Sequence, residues 1–240
     1  MGFTGSFMSE PAFLDNSGDI GNLALAMQRE IQPELLDSLP ADHPDALHNR
    51  RDLRLTNHLM GNYRWFARTL PGHLRPGESV LELGAGTGEM GSHLHKIGIP
   101  VDGLDLWSRP GKWPEAREWH SNDLLQFGHY RRYPVVIGNL IFHQFREEDL
   151  ASLGAQLKRS ARLILASEPV RRRFSQIAFA GIAPLAGANH VSRHDAHVSI
   201  AAGFLNEELP QQLGLSPVEW EWKYSSTLFG AYRMIAKRRE

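Results

Sequence analysis

The stretch Val80-Leu81-Glu82-Leu83-Gly84-Ala85-Gly86-Thr87-Gly88-Glu89-Met90-Gly91 decides how this chain is read. A short apolar run, Val80 to Leu83, breaks into glycines at 84, 86 and 88, and a helical pattern follows over about 88–97. Apolar runs of this length bounded by glycine read as buried strands. A strand, a glycine loop and a helix together let backbone N–H groups approach a ligand at a helix N-terminus. Dinucleotide-binding loops use G-x-G-x-x-G for this. Here the third glycine comes one position early, and Glu89 stands where it would fall. A carboxylate beside a pyrophosphate is repulsive. The loop better suits a phosphate-free ligand with a methionine-like amine and carboxylate.

Outward from the loop, short apolar runs alternate with helical pattern. Pro100 to Leu106 reads as a second strand, Glu118-Trp119-His120 as a weak third, Pro134 to Leu140 as a fourth and Leu163 to Ser167 as a fifth. A helix opens near Arg146-Glu147-Glu148-Asp149, where first-turn carboxylates suit its dipole. Strands alternating with helices predict a parallel sheet covered on both faces. Val218 to Tyr224 alternates strictly and Thr227 to Ala236 is a second extended run, so an antiparallel hairpin is expected on the sheet edge.

Three polar positions fall where ligands bind in such a sheet, at the carboxyl ends of strands. Asp105, twenty-one residues after Gly84, ends the second strand and suits both hydroxyls of a ribose. Asp123 follows the third strand and suits an adenine amino group, with Leu124 packing on the ring. Asn139 ends the fourth. Taken singly, each acid reads alternatively as a helix cap or loop acid, and Asn139 as a turn residue.

The run VLELGAGTGEMG, then Asp105, the NDL of 122–124 and the NLIFHQF of 139–145, in that order, resemble a class I S-adenosylmethionine-dependent methyltransferase over roughly residues 46–238. The resemblance implies an α/β, Rossmann-like three-layer sandwich whose seven-stranded sheet is mostly parallel with an antiparallel last strand. It implies S-adenosyl-L-methionine as cofactor, with Glu82, Gly84, Ala85, Gly86 and Gly88 around the methionine moiety. Asp105 and Leu106 would face the ribose, Asp123 and Leu124 the adenine, and Asn139 and Leu140 the sulfonium. Two departures stand out: Glu82, where the family more often has Asp, and Gly138, where many relatives carry an acid.

Methyl transfer from a sulfonium asks the protein mainly to align the acceptor and remove its proton. Histidine is the natural base near pH 7. His143, four residues beyond Asn139, is the first candidate, and Glu168 at the end of the fifth strand shares its rim. Glu168 reads alternatively as the partner of Arg171, Arg172 or Arg173. His190 and His194, in the segment Asn189 to His197, are further base candidates within an acceptor-binding insertion of about 170–205. Their spacing with His197 also suits a metal-binding helical face or a hydrogen-bonded turn, and no metal is expected. The uncharged run Phe174 to Ala188 reads either as a core helix or as a lid giving the acceptor pocket an apolar wall. This insertion and the preface PELLDSLPADHPDALHNRRDLRLTN are similar to bacterial methyltransferases of polyketide and aromatic secondary metabolism, which implies O- or C-methylation of a lipophilic aromatic.

Residues 1–18 are expected to be a disordered tail with a second plausible start at Met8. Residues 19–75 are expected to form a helical cap, from the four-residue spacing of Leu23, Met27 and Ile31 and of Leu55, Leu59 and Tyr63, and residues 76–240 the methyltransferase domain. The 240 residues carry 26 Lys+Arg against 27 Asp+Glu, which argues against nucleic acid as partner. Cysteine is absent, so disulfide scaffolds, thiolate metal sites and cysteine nucleophiles are excluded. No run is apolar enough to span a bilayer and residues 1–28 lack a signal's positive charge, so a cytoplasmic monomer or homodimer with a small-molecule acceptor is expected. Two alternatives stay open: a non-catalytic binder of the cofactor, and a nicotinamide-dependent oxidoreductase, disfavoured by Glu89 and by the absence of a Tyr-x-x-x-Lys run.

Overall fold

The computed structural model describes residues 27–40 and 42–240. Its strands are β1 (Val80–Leu83), β2 (Val101–Asp105), β3 (Trp119–Ser121), β4 (Val135–Asn139), β5 (Leu163–Pro169), β6 (Trp220–Ser226) and β7 (Ala231–Arg238). They form one sheet in the order β3-β2-β1-β4-β5-β7-β6. β1 to β5 pair in parallel, and β7 lies antiparallel between β5 and β6. The terminal hairpin therefore joins the sheet by its second strand and leaves β6 at the edge, where exposed Glu221 and Lys223 discourage further pairing. Strand order reverses between β1 and β4. The carboxyl ends of those two strands form the crevice in which open α/β sheets hold ligands.

Strand residues alternate between two buried faces, which is why these strands read as unbroken apolar runs. Leu81, Leu83, Val136, Ile164 and Ala166 pack under Leu150, Leu153 and Leu157 of α4 (Glu147–Leu157) and Leu209 of α7 (Glu208–Gln212). Val80, Val135, Ile137, Leu163 and Leu165 face Phe66 of α2 (Asn62–Thr69) and Met90 and Leu94 of α3 (Glu89–His95). Each fully buried aliphatic side chain contributes about 1.5–3 kcal/mol, so the two layers on one sheet supply the main driving force. Gly138 belongs to this packing. A Cβ there would stand 2.3 Å from the Phe142 ring, which accounts for the missing acid at that position.

Ahead of the sheet, α1 (Pro44–Leu59) and α2 supply the expected helical preface. Residues 27–34 are a correction to it, because they form no helix. Pro33 lacks an N–H, and two groups of the segment bond to distant partners: the Glu30 N–H to the Ala201 carbonyl at 3.1 Å, and the Arg29 side chain to the carbonyls of Ala202 and Phe145. Leu23, Met8 and the expected tail lie outside the described residues.

The insertion holds α5 (Arg173–Ile182) and α6 (His190–Ala202). The turn reading of residues 190–197 gives way to a helix, whose start is capped by Asn189 Oδ1 accepting the Ser192 N–H at 2.8 Å. The core reading of 174–188 holds only for Ala183, which is buried, because α5 itself has no buried residue. Among the described residues no helix is long and apolar enough to cross a membrane.

The contact between α4 and the end of α7 is closed by Gly154, where a Cβ would stand 2.0 Å from the Leu213 carbonyl oxygen. Gly154→Ala should therefore lower stability by about 1–3 kcal/mol through overpacking. Gly181→Ala, in α5 with nothing within 4 Å of its Cβ position, should instead leave stability unchanged or raise it by about 0.4–1 kcal/mol. Urea denaturation of both variants checks the pair, and equal effects would contradict the packing.

Candidate active site

A cavity of about 660 Å³ opens over the carboxyl ends of β1 and β4, within the ~300–1,000 Å³ span of small-molecule sites. Gly84, Gly86 and Gly88 take φ of 61°, 55° and 78°, a left-handed run that only glycine adopts without strain. Gly86 has nothing within 4 Å of a Cβ position, so the backbone there is open to a ligand. Gly84 is closed on its other side, where a Cβ would meet the Ile141 side chain at 2.5 Å. Asp105 is built into the same loop: its Oδ2 accepts the Gly86 N–H at 2.7 Å and its Oδ1 the Trp107 N–H at 2.9 Å. These two bonds fix the carboxylate and leave lone pairs facing the cavity.

Glu82 is buried beneath the loop, and its Oε2 makes no hydrogen bond. Burial pushes this carboxyl well above the usual range, against a smaller opposing pull from the Gly91 amide. Glu82 lines the cavity, and a bound ammonium beside it would repay the cost of burying the carboxyl. Glu89 sits at the mouth of the cavity, 3.2 Å from Arg54 of α1. The site is thus lined by acids at the glycine loop and fits an amine-bearing, phosphate-free ligand.

Most of the expected cofactor contacts come together here. Glu82, Gly84, Ala85, Gly86, Asp105, Leu106, Asp123, Leu124, Asn139 and Leu140 all line the cavity. Asp123 is oriented by the Leu125 N–H at 2.8 Å. Leu106 is 72% exposed at the mouth. Leu140 holds φ at 58°, an uncommon conformation for a residue with a branched side chain. Gly88 is a partial exception, since it caps α3 behind the loop and faces Trp113.

His143 lines the cavity and is buried, with Nδ1 2.7 Å from Glu168 Oε2 and Nε2 3.4 Å from Glu34 Oε1. Glu168, fully buried, also accepts the backbone N–H groups of Ile141, Phe142 and His143 at 3.0, 3.1 and 3.2 Å. Burial alone would lower the His143 pKa, but the hydrogen bonds and charges of Glu168 and Glu34 outweigh it and raise the pKa to about 9. Burial raises the pKa of Glu34, while the bonds from His143 and Ser199 bring it net below its ordinary value. The arginine pairing expected for Glu168 is absent among the described residues. Arg171 turns instead to Glu208, at 2.8 Å, and to the Gly203 carbonyl.

His190 and His194 are not brought to the cavity. Along α6 the stripe Ser192, Asp195, Ala196 and Ser199 faces it, leaving His190 exposed at the helix start and His194 half-buried beside Asp195 at 3.2 Å. Helical phase separates the two sets. Among the described residues no group of three His, Asp or Glu side chains is placed to hold a metal ion.

Several lining residues were not singled out in the sequence. Glu34 comes from the preface and Asn57 from α1, while Tyr63 of α2 was read only as part of a helical spacing. Asp195 accepts the N–H groups of Leu35 and Leu36 at 2.7 and 3.1 Å and so ties the preface to α6. Only the run Thr56-Asn57-His58-Leu59-Met60-Gly61-Asn62, polar side chains inside a helical pattern, signals any of them.

No protein-family model matches the chain, and no curated protein matches it. Solved structures do. The plantazolicin methyltransferase BpumL, in complex with a triazolic desmethylPZN analog and SAH, is 14% identical with a TM-score of 0.65, over 85% of this chain and 93% of that one. The plantazolicin methyltransferase BamL, with the same kinds of ligand, is 10% identical with a TM-score of 0.65 over the same shares. The chain has the Rossmann-like, seven-stranded fold of these methyltransferases.

Proposed function

We propose that this chain is an S-adenosylmethionine-dependent methyltransferase acting on a small, apolar acceptor of the kind found in aromatic secondary metabolism. The observation that carries the reading is the unpartnered Glu82 carboxylate oxygen, in the same cavity as the open Gly86 backbone and the oriented Asp105. When bound, S-adenosyl-L-methionine supplies a methyl group on a sulfonium, the leaving group already in place. Glu82 is the site for its amine, Gly84 to Gly86 for the methionine backbone, Asp105 and Leu106 for the ribose, and Asp123 and Leu124 for the adenine. Asn139 and Leu140 border the sulfonium. The likeness to SAH-bound methyltransferases of the same fold supports this reading.

The far end of the cavity is apolar. Leu53 of α1, Phe174, Phe179 and Ile182 of α5, and Leu228 and Phe229 of the β6–β7 turn line it. Phe174, Ile182 and Phe229 are 61%, 58% and 68% exposed, more apolar surface than a finished core leaves bare. We read α5 as a lid that an apolar acceptor covers. His143 is the proton acceptor of this reading: Glu168 holds Nδ1, so Nε2, which faces Glu34 Oε1 at 3.4 Å, is the nitrogen that exchanges that partner for the acceptor. A non-catalytic binder of the same cofactor is the second reading, and turnover of a labelled methyl donor separates the two.

Calorimetry with S-adenosylhomocysteine should show micromolar binding, and Asp105→Ala should weaken it by roughly 1–3 kcal/mol by unpairing a ribose. Unchanged affinity would remove Asp105 from the site. Phe174→Asp or Phe179→Asp should abolish methyl transfer to lipophilic aromatic acceptors with S-adenosylhomocysteine affinity intact, whereas loss of folding would return α5 to the core. His143 gives two opposite pH dependences. Its folded pKa of about 9 lies above the ordinary 6.5, so its stabilisation is full below pH 6.5 and is lost as pH rises through 9. The urea midpoint should fall across that window more in the wild type than in His143→Gln, while turnover rises across it as the neutral imidazole forms. Parallel midpoints in the two proteins would contradict the assignment.

A further inference from the structure

Behind Asn139 lies a buried cluster that joins four elements. Asn62, fully buried at the start of α2, donates from Nδ2 to Asn57 Oδ1 at 2.9 Å and to Asn139 Oδ1 at 3.0 Å. Asn139 Nδ2 donates to the same Asn57 oxygen at 2.9 Å. Asn57 Nδ2 is spent on the Leu53 carbonyl at 3.1 Å, and the Ser167 hydroxyl of β5 donates to Asn62 Oδ1 at 2.9 Å. Every donor points to an acceptor, so the amide orientations are mutually fixed. Burying three amides and a hydroxyl contributes little to a core, because each bond mostly offsets lost hydration.

The cluster is flanked by unusual backbone on both sides. Gly61, just before Asn62, is left-handed at φ 70°, and Leu140, just after Asn139, is left-handed at φ 58°. Glycine adopts this conformation freely, but at Leu140 it costs free energy and persists where the surroundings over-determine it. Asn139 bridges the cluster and the cavity at the β4 end, and it keeps one Nδ2 hydrogen and one Oδ1 lone pair uncommitted to these bonds. Asn57 reaches the cavity beside it.

We propose that Asn62 is a positioning residue: from the N-terminal helices, anchored by Asn57 and Ser167, it locks the Asn139 amide to present a fixed donor–acceptor edge to the bound cofactor. The inference rests on the methyltransferase reading. It makes α1 and α2 part of the cofactor site, although neither belongs to the strands and loops that carry the cofactor motifs. Asn62 itself touches no ligand, and the effect assigned to it passes through Asn139.

A double-mutant cycle read by calorimetry with S-adenosylhomocysteine tests this. Asn62→Asp keeps the shape and the acceptor for Ser167 but loses the donor to Asn57 and Asn139. Asn62→Asp and Asn139→Ala should each weaken binding about tenfold and the double variant no more than the larger single effect, whereas Asn62→Asp and Asp105→Ala should multiply. A merely structural role for Asn62 would multiply with both. Wild-type affinity in Asn62→Asp, or a product of effects with Asn139→Ala, overturns the proposal. If Asn62→Asp does not fold, Ser167→Ala, which removes only the anchoring hydroxyl, should weaken binding about threefold and show the same non-additivity with Asn139→Ala; additivity there overturns the proposal too. Failure of the wild type to bind defeats the cofactor reading itself, a result distinct from binding that is indifferent to residue 62.

Discussion

One buried carboxylate holds the rim of the sheet together. Glu168 accepts three successive backbone N–H groups, from Ile141, Phe142 and His143, and the imidazole of His143 as a fourth donor. An ionised group without water is tolerable only when its lone pairs are filled in this way. The consequences spread from there. Ile141, so fixed, is the wall against Gly84, and the glycine loop closes on it. His143, so fixed, offers its other nitrogen to Glu34 and thereby to the N-terminal segment. Replacing Glu168 would therefore release the loop after β4, the histidine and the preface together.

The cavity has two ends of different chemistry because different parts of the chain build them. The carboxyl ends of β1, β2 and β4 and the loop after β3 contribute oriented acids and amides, held by short bonds between neighbours such as Asp105 and Gly86. α5 and the β6–β7 turn contribute apolar walls, and the preface and α6 close the cavity with a mixed polar and apolar lining. Arg29 and Asp195 stitch the enclosure together by binding backbone groups of distant segments. Acid at one end and hydrocarbon at the other suit a cationic donor and a lipophilic acceptor meeting in a single space.

What the sequence made legible was local. The glycine loop, the acid twenty-one residues on and the asparagine closing β4 are set by strand length and turn chemistry within some sixty residues, and all are found at the cavity. What it hid depended on distant partners or on phase. Glu168 was read beside its neighbouring arginines, but Arg171 is taken by Glu208, thirty-seven residues away. His190 and His194 had suitable spacing, yet the rotation of α6 turns Asp195 and Ser199 inward instead. The segment 27–34 carries a helical spacing that its long-range hydrogen bonds and Pro33 override. Asn62 was not singled out in the sequence, and only its partners in β4 and β5 give it a role.

The central claim is that one cavity holds the methyl donor by the Glu82–Asp105 end and the acceptor by the α5 end. A crystal structure with S-adenosylhomocysteine tests it most directly. The account predicts the ligand amine against Glu82 Oε2, the ribose hydroxyls on Asp105, and the sulfur turned toward the chamber bounded by Phe174 and Phe179. Density for the ligand elsewhere, or a bound ligand that leaves Glu82 without a partner, would contradict it.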